Sequence, residues 1–251
     1  MSSKEDPWGT QLRRHTPARI AQGRSGSSLR TADWLRFAGD HAQARDAVHL
    51  QLDVTALLTQ LNGDGWPTII NVQSQATTRE VYLRRPDLGR RLSSAIEPAA
   101  APSDIAVVLA DGLSAAAVQH ALPLLHALRQ ELAGTLAWAP LVIATQARVA
   151  LGDEIGALLK ARVVLVLIGE RPGLSSPDSL GAYLTYSANS APAVRRSDAQ
   201  RNCVSNIRPQ GLAPADAARR IAWLLRESLR RQLSGVALKD DSERALKLVR
   251  Q

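Results

Sequence analysis

The chain has one cysteine, Cys203, one phenylalanine and one methionine in 251 residues. A lone cysteine excludes an intramolecular disulfide and fits a reducing compartment. Aromatic residues make up only 4% of the chain, so a core must be packed by aliphatic side chains, chiefly the abundant Ala and Leu. No apolar run approaches the roughly 20 residues that span a bilayer, and the N-terminal MSSKEDP lacks the apolar stretch of a secretory signal. A cytoplasmic protein without a membrane segment is the expectation. Catalytic signatures are missing too. There is no HExxH, no paired-cysteine motif and no zinc-spaced histidine cluster. The GxSxG elbow of hydrolases, the dinucleotide GxGxxG and the P-loop are also absent. Gly23-Arg24-Ser25-Gly26 looks like a phosphate loop at first sight, but no apolar strand precedes it and no Gly-Lys-Ser/Thr follows. His15, His41, His49, His120 and His126 fall on predicted helices or on the N-terminal arm, and read as surface or half-buried residues. A free-standing hydrolase or nucleotide enzyme therefore lacks its loops here.

What the chain does have is positive charge, a formal +8, unevenly placed. Residues 195–251 hold 13 basic and 6 acidic side chains, whereas residues 98–194 hold 5 basic and 7 acidic. A basic flank binds phosphate backbones or docks on an acidic partner subunit. A non-enzymatic module using its basic C-terminal helix on nucleic acid is thus an alternative reading. Without aromatics interleaved among the basic residues, however, a base-stacking surface is not expected, and no nucleic-acid partner is assigned.

Periodicity predicts an α/β fold: a Rossmann-like, mainly parallel sheet flanked by helices, with a smaller, mostly helical N-terminal region. Residues 1–30 read as an extended arm, 31–97 as the helical region and 98–251 as the α/β domain, with the Pro/Ala run 97–102 as linker. A helix is expected from a Thr31 cap, with an apolar stripe from Trp34, Leu35, Ala38, Ala42 and residues 44–48. Residues 57–66, ending in Asn62-Gly63-Asp64-Gly65, read as a turn, and 68–72 as a strand. Residues 78–94 read as a helix broken at Arg85-Pro86. Beyond the linker, strands at 105–110, 136–144 and 163–168 alternate with helices at 115–132 and 152–159. That rhythm implies βαβ units. A β-prone run at 182–186 and a closing helix at 212–233 follow. The unbroken apolar row Val163 to Leu167 reads as a strand covered on both faces. Such sheets bind ligands beyond the carboxyl ends of their strands. Two loops lie there, Asp111–Ser114 and Gly169–Gly173. With so little acid–base equipment, they suit a subunit that holds a cofactor while another chain performs the chemistry.

The motifs TPARIAQGRSG, LRFAGDHAQARDAV, YLRRPDLGRRL, ADGLS, RVALGDEIG, VLIGERPGLSSPDSLGAYLTY, RNCVSNIRPQG and SGVALKD occur in this order. Together they resemble the small-subunit family of ethanolamine ammonia-lyase, over roughly residues 12 to 240. The resemblance implies an adenosylcobalamin-dependent radical enzyme that converts ethanolamine to acetaldehyde and ammonia. It also implies a large-subunit partner whose barrel holds the substrate, with the cofactor between the two chains in a large hetero-oligomer. Relatives are often packed in a bacterial microcompartment. No Asp-x-His-x-x-Gly loop occurs, so the cofactor is expected to keep its own benzimidazole as lower ligand.

Carried over motif by motif, Val149, Glu170 and Cys203 become cobalamin contacts, with no catalytic residue and no metal ligand in this chain. Glu170 would accept hydrogen bonds from corrin amides. Relatives often have Gly where Ala147 stands, which bears on the turn that carries Val149. Without the resemblance, Val149 reads as core and Cys203 as a small buried apolar residue. Glu170 reads as a partner of Arg171 or a helix cap. Asp111 either faces the cofactor or caps the following helix. Arg84, Arg85, Arg90 and Arg91 read as a subunit or interdomain contact.

Overall fold

The computed structural model describes residues 7–243, apart from 17, 67, 95, 98, 100 and 188–195. Its centre is a six-stranded sheet formed by β3 (Ile69–Gln73), β4 (Ser103–Ala110), β5 (Leu141–Thr145), β6 (Ala161–Gly169), β7 (Leu180–Tyr186) and β8 (Arg201–Ile207), in the order β3-β5-β4-β6-β7-β8. The pairs β3–β5, β5–β4 and β4–β6 are parallel, and β6–β7 and β7–β8 are antiparallel. The expected mainly parallel α/β sheet is present.

Both faces of the central strands are covered. Along β4, Ile105, Val107 and Leu109 enter one core, while Ala106, Val108 and Ala110 enter the other. This period-two division explains why β4 and β6 read as unbroken apolar runs. The first core is closed by α3 (Val54–Gly63), α5 (Ala121–Glu131) and α7 (Pro214–Arg231), the second by α6 (Leu151–Leu158). The glycines of the GDEIG motif let α6 lie close on the sheet: a Cβ at Gly156 would stand 2.1 Å from Val164 Cγ2.

Several expectations need correction. Residues 54–63 form helix α3 rather than a turn, because the Asp53 carboxylate accepts from Ala56 N at 2.9 Å and caps it; only the Asp64-Gly65 turn signal holds. The arm carries helix α1 (Pro7–Arg13) and a small hairpin of β1 (Arg24–Ser25) and β2 (Ser28–Leu29). Helix α2 (Thr31–His49) forms, but Arg30 rather than Thr31 is its N-cap, and no side chain bonds there. Its apolar stripe is not packed: Ala47 is its buried residue, and Trp34 and Leu35 are 54% and 64% exposed. Strand β3 pairs with β5 at the edge of the sheet, and Leu57 and Leu61 of α3 pack into the first core. No helix among the described residues is long and apolar enough to cross a membrane.

Candidate functional site

The strand order reverses about β4. The chain leaves β4 through α5 on one face, reaches β5, and returns through α6 on the other face to β6 on the far side of β4. Ligands bind at such a switch point, outside the carboxyl ends of the strands. Here those ends carry residues 111–114, 146–150 and 170–179.

The loops are tied to one another by backbone and buried polar groups. Leu113 N donates to Gly169 O at 2.9 Å, and Gly112 takes φ 56°. Asp111, 1% exposed, accepts from Gln146 N at 2.9 Å and Ala147 N at 3.1 Å. It therefore braces the loop after β5 from a buried position and does not cap the next helix. Arg79, which opens helix α4 (Arg79–Arg84), reaches it at 3.5 Å and donates to Gly112 O at 2.7 Å and Val48 O at 2.7 Å. Burial lowers the pKa of the Arg79 guanidinium and raises that of the Asp111 carboxyl, the direction desolvation imposes on each. The Tyr82 hydroxyl donates to Ala147 O at 3.0 Å, fixing the turn that carries Val149. The long loop is held by Glu170 N to Ser179 O at 2.9 Å and Ser114 Oγ to Pro177 O at 2.7 Å. Asp178 lies 2.9 Å from His120 Nε2 and 3.4 Å from Arg208 Nη1. His120 is thus a buried bracing residue.

A cleft of about 470 Å³ opens on this rim, lined by Tyr82, Leu113, Arg148, Val149, Glu170 and Tyr183 among others. Val149 and Glu170, far apart in sequence, share it. Val149 is half-buried, its inner side packed on the second core. Glu170 sits between β6 and β7, so it caps no helix, and no ion pair joins it to Arg171 among the described residues. Its Oε2 accepts from Ser179 Oγ at 2.5 Å and Asn206 N at 3.4 Å. Oε1 has no partner among the described residues and remains an available acceptor. Cys203 is exposed rather than buried, directly across the β7–β8 ladder from Tyr183, which lines the cleft. The protein around the thiol raises its pKa, the Tyr183 hydroxyl opposes this, and the nearby Glu170 carboxylate adds to it. Cys203 is therefore a neutral thiol at physiological pH.

Sequence reading missed Tyr82, Arg148 and Tyr183. Arg148 directly precedes Val149, and Tyr82 opens YLRRPDLGRRL, so both stood in quoted motifs with no role attached. The guanidinium carbons of Arg79 and Arg148 lie 4.9 and 4.3 Å from the Tyr82 ring centre. Among the described residues no group of three or more His, Cys, Asp or Glu is placed to hold a metal ion.

Fold and rim define an open-sheet α/β protein whose candidate site is a shallow, largely apolar shelf with a few charged groups at the carboxyl ends of its strands. Comparison with known proteins makes this specific. The sequence model of the family described as ethanolamine ammonia-lyase light chain matches residues 5–239. The chain is 53% identical to the ethanolamine ammonia-lyase small subunit of Azotobacter vinelandii, over 95% of this chain and 90% of that protein. It is 54% identical to the small subunit of Bradyrhizobium diazoefficiens, over 92% and 90%, and 53% identical to that of Pseudomonas syringae pv. tomato, over 95% and 84%. The chain belongs to the ethanolamine ammonia-lyase small-subunit family. It is thereby part of a lyase of ethanolamine catabolism, and a small subunit implies a large-subunit partner.

Proposed function

We propose that this chain holds adenosylcobalamin on the rim of its sheet, against the large subunit, while that subunit binds ethanolamine. The observation that carries the reading is the meeting of Val149 and Glu170 in one cleft, with Cys203 reached through Tyr183. Cobalamin is broad, flat and rimmed by amides, and an open shelf with a few fixed polar groups fits it. When bound, the cofactor supplies radical chemistry by homolysis of its cobalt–carbon bond. The residues of this chain bind and orient. Glu170 Oε1 accepts from a corrin amide while Ser179 holds Oε2, so the acceptor is positioned before the ligand arrives. Val149 offers an apolar edge on a turn fixed by Tyr82 and Asp111. Cys203 contributes contact without nucleophilic chemistry. The second face of the corrin is left for the partner, in a large hetero-oligomer.

The nucleic-acid alternative draws no support from α7. Arg230 and Arg231 each pair with Glu227 at 2.7 Å, Arg220 reaches Glu243 at 2.6 Å, Arg219 pairs with Asp216, and Arg226 donates to Glu131 O at 2.5 Å. Cations so engaged are poorly placed to collect phosphates.

The test is Glu170→Ala in the reconstituted two-subunit complex. A charge-assisted hydrogen bond lost at this site weakens cobalamin binding roughly 10- to 100-fold, with assembly intact. Unchanged affinity removes Glu170 from the site. Full deaminase activity of the large subunit without this chain overturns the function itself.

A further inference from the structure

The cofactor cleft carries more positive charge than its own partners neutralise. Arg148 and Arg171 both line it. Neither has a carboxylate within 4.0 Å among the described residues, and the one acid of the cleft, Glu170, pairs with neither, its Oε2 accepting from Ser179 and Asn206. Arg171 is exposed and adds charge at the cleft mouth.

Arg148 is built in rather than loose. Its backbone N donates to Gly89 O at 2.8 Å, and a Cβ at Gly89 would stand 2.9 Å from its Cγ, so the stem is gripped by that glycine. Its guanidinium lies over Tyr82, with Nη2 3.4 Å from Tyr82 O, a long bond. Nε is buried and has no hydrogen-bond partner. A buried guanidinium nitrogen without an acceptor is costly unless a ligand completes it. A rigid guanidinium with no carboxylate partner at the edge of a ligand cleft is an arrangement that recognises phosphate.

We infer that Arg148, assisted by Arg171, is an anion subsite for the phosphodiester in the nucleotide tail of the cofactor. The inference rests on the cobalamin reading and adds an orientation to it. The corrin amides face Glu170 and the tail runs toward Arg148 and Tyr82, so the tail phosphate anchors the cofactor on this chain.

The experiment compares three ligands on the reconstituted two-subunit complex, with binding followed by visible absorption. The ligands are cobalamin, cobinamide phosphate, and cobinamide, which lacks the phosphate. Wild type is expected to prefer cobinamide phosphate over cobinamide by roughly 10- to 100-fold, the factor one charged hydrogen-bonding contact supplies. Arg148→Met should abolish the preference, and Arg148→Lys, which keeps the charge without the fork, should retain part of it. Inorganic phosphate should compete with cobinamide phosphate and not with cobinamide, a readout that needs no variant to fold. An unchanged preference in Arg148→Met, or no competition by phosphate, overturns the subsite while leaving Glu170 and the cobalamin reading standing. Failure of the wild-type complex to bind cobalamin overturns both.

Discussion

Replacing Gly169 by alanine tests whether the rim is assembled by direct backbone contact between the end of β6 and the loop after β4. A Cβ at this position would stand 1.9 Å from Ser114 O and 2.6 Å from Asp111 O, whereas ordinary contact begins at 3.4 Å. Both obstructing atoms are backbone, so no side chain can swing away, and the two loops must separate by about 1.5 Å. That displacement breaks the Leu113 N to Gly169 O bond and carries Glu170 with it. Overpacking costs about 1–3 kcal/mol and the lost buried hydrogen bond about 1 kcal/mol more. For a chain of this size the sum lowers Tm by roughly 5–15 °C. Thermal unfolding of the purified chain measures this, and a cobalamin titration of the two-subunit complex should show weakened binding in the same variant. A Tm within about 2 °C of wild type, with unchanged cobalamin affinity, refutes the reasoning.

Other consequences are separable from this one. Gly39 lies inside α2 with nothing within 4 Å of its would-be Cβ, so Gly39→Ala should stabilise the chain by about 0.5–1 kcal/mol in urea unfolding. Arg201 and Asp153 form a two-bond pair at 2.8 and 2.7 Å, each side chain 3% exposed, joining α6 to β8. Arg201→Met strands the Asp153 carboxylate and should cost about 3–5 kcal/mol, whereas Arg201→Met with Asp153→Leu should recover part of it, as a double-mutant cycle of denaturation curves would reveal. Cys203 is exposed but its thiol pKa is raised, so the reactive thiolate is scarce near neutrality and increases as pH rises. Alkylation by iodoacetamide at pH 7.5 should be slower than that of free cysteine, speed up toward alkaline pH, and slow again when cobalamin fills the complex.

The sheet was legible because its central strands are buried on both faces, and a row such as Val163 to Leu167 has few other readings. The elements that escaped were those whose signal is local and polar. Helix α3 starts at an Asp53 cap and ends in a glycine-rich turn, and the turn dominated the reading. Strand β8 went unread because a register shift in its pairing with β7 breaks the alternation, so Arg201, Val204 and Ile207 are buried at intervals of three. Helix α2 shows the opposite failure: periodicity marks an apolar stripe, but cannot say whether this chain covers it. At the site, Glu170 was legible from its place at a strand end. Nothing in the sequence placed Val149 beside it, since that closeness comes from β4 lying between β5 and β6. Tyr82 and Arg148 owe their roles to contacts across 66 residues of chain, which no local pattern records.

Hydrogen–deuterium exchange on the assembled two-subunit complex, with and without adenosylcobalamin, tests the central claim most directly. The account predicts that the cofactor protects amides of this chain at 111–114, 146–150, 170–179 and 203–206, and leaves the strand ends opposite the rim unchanged. Cofactor-dependent protection confined to the large subunit, or to the opposite end of this sheet, would contradict it.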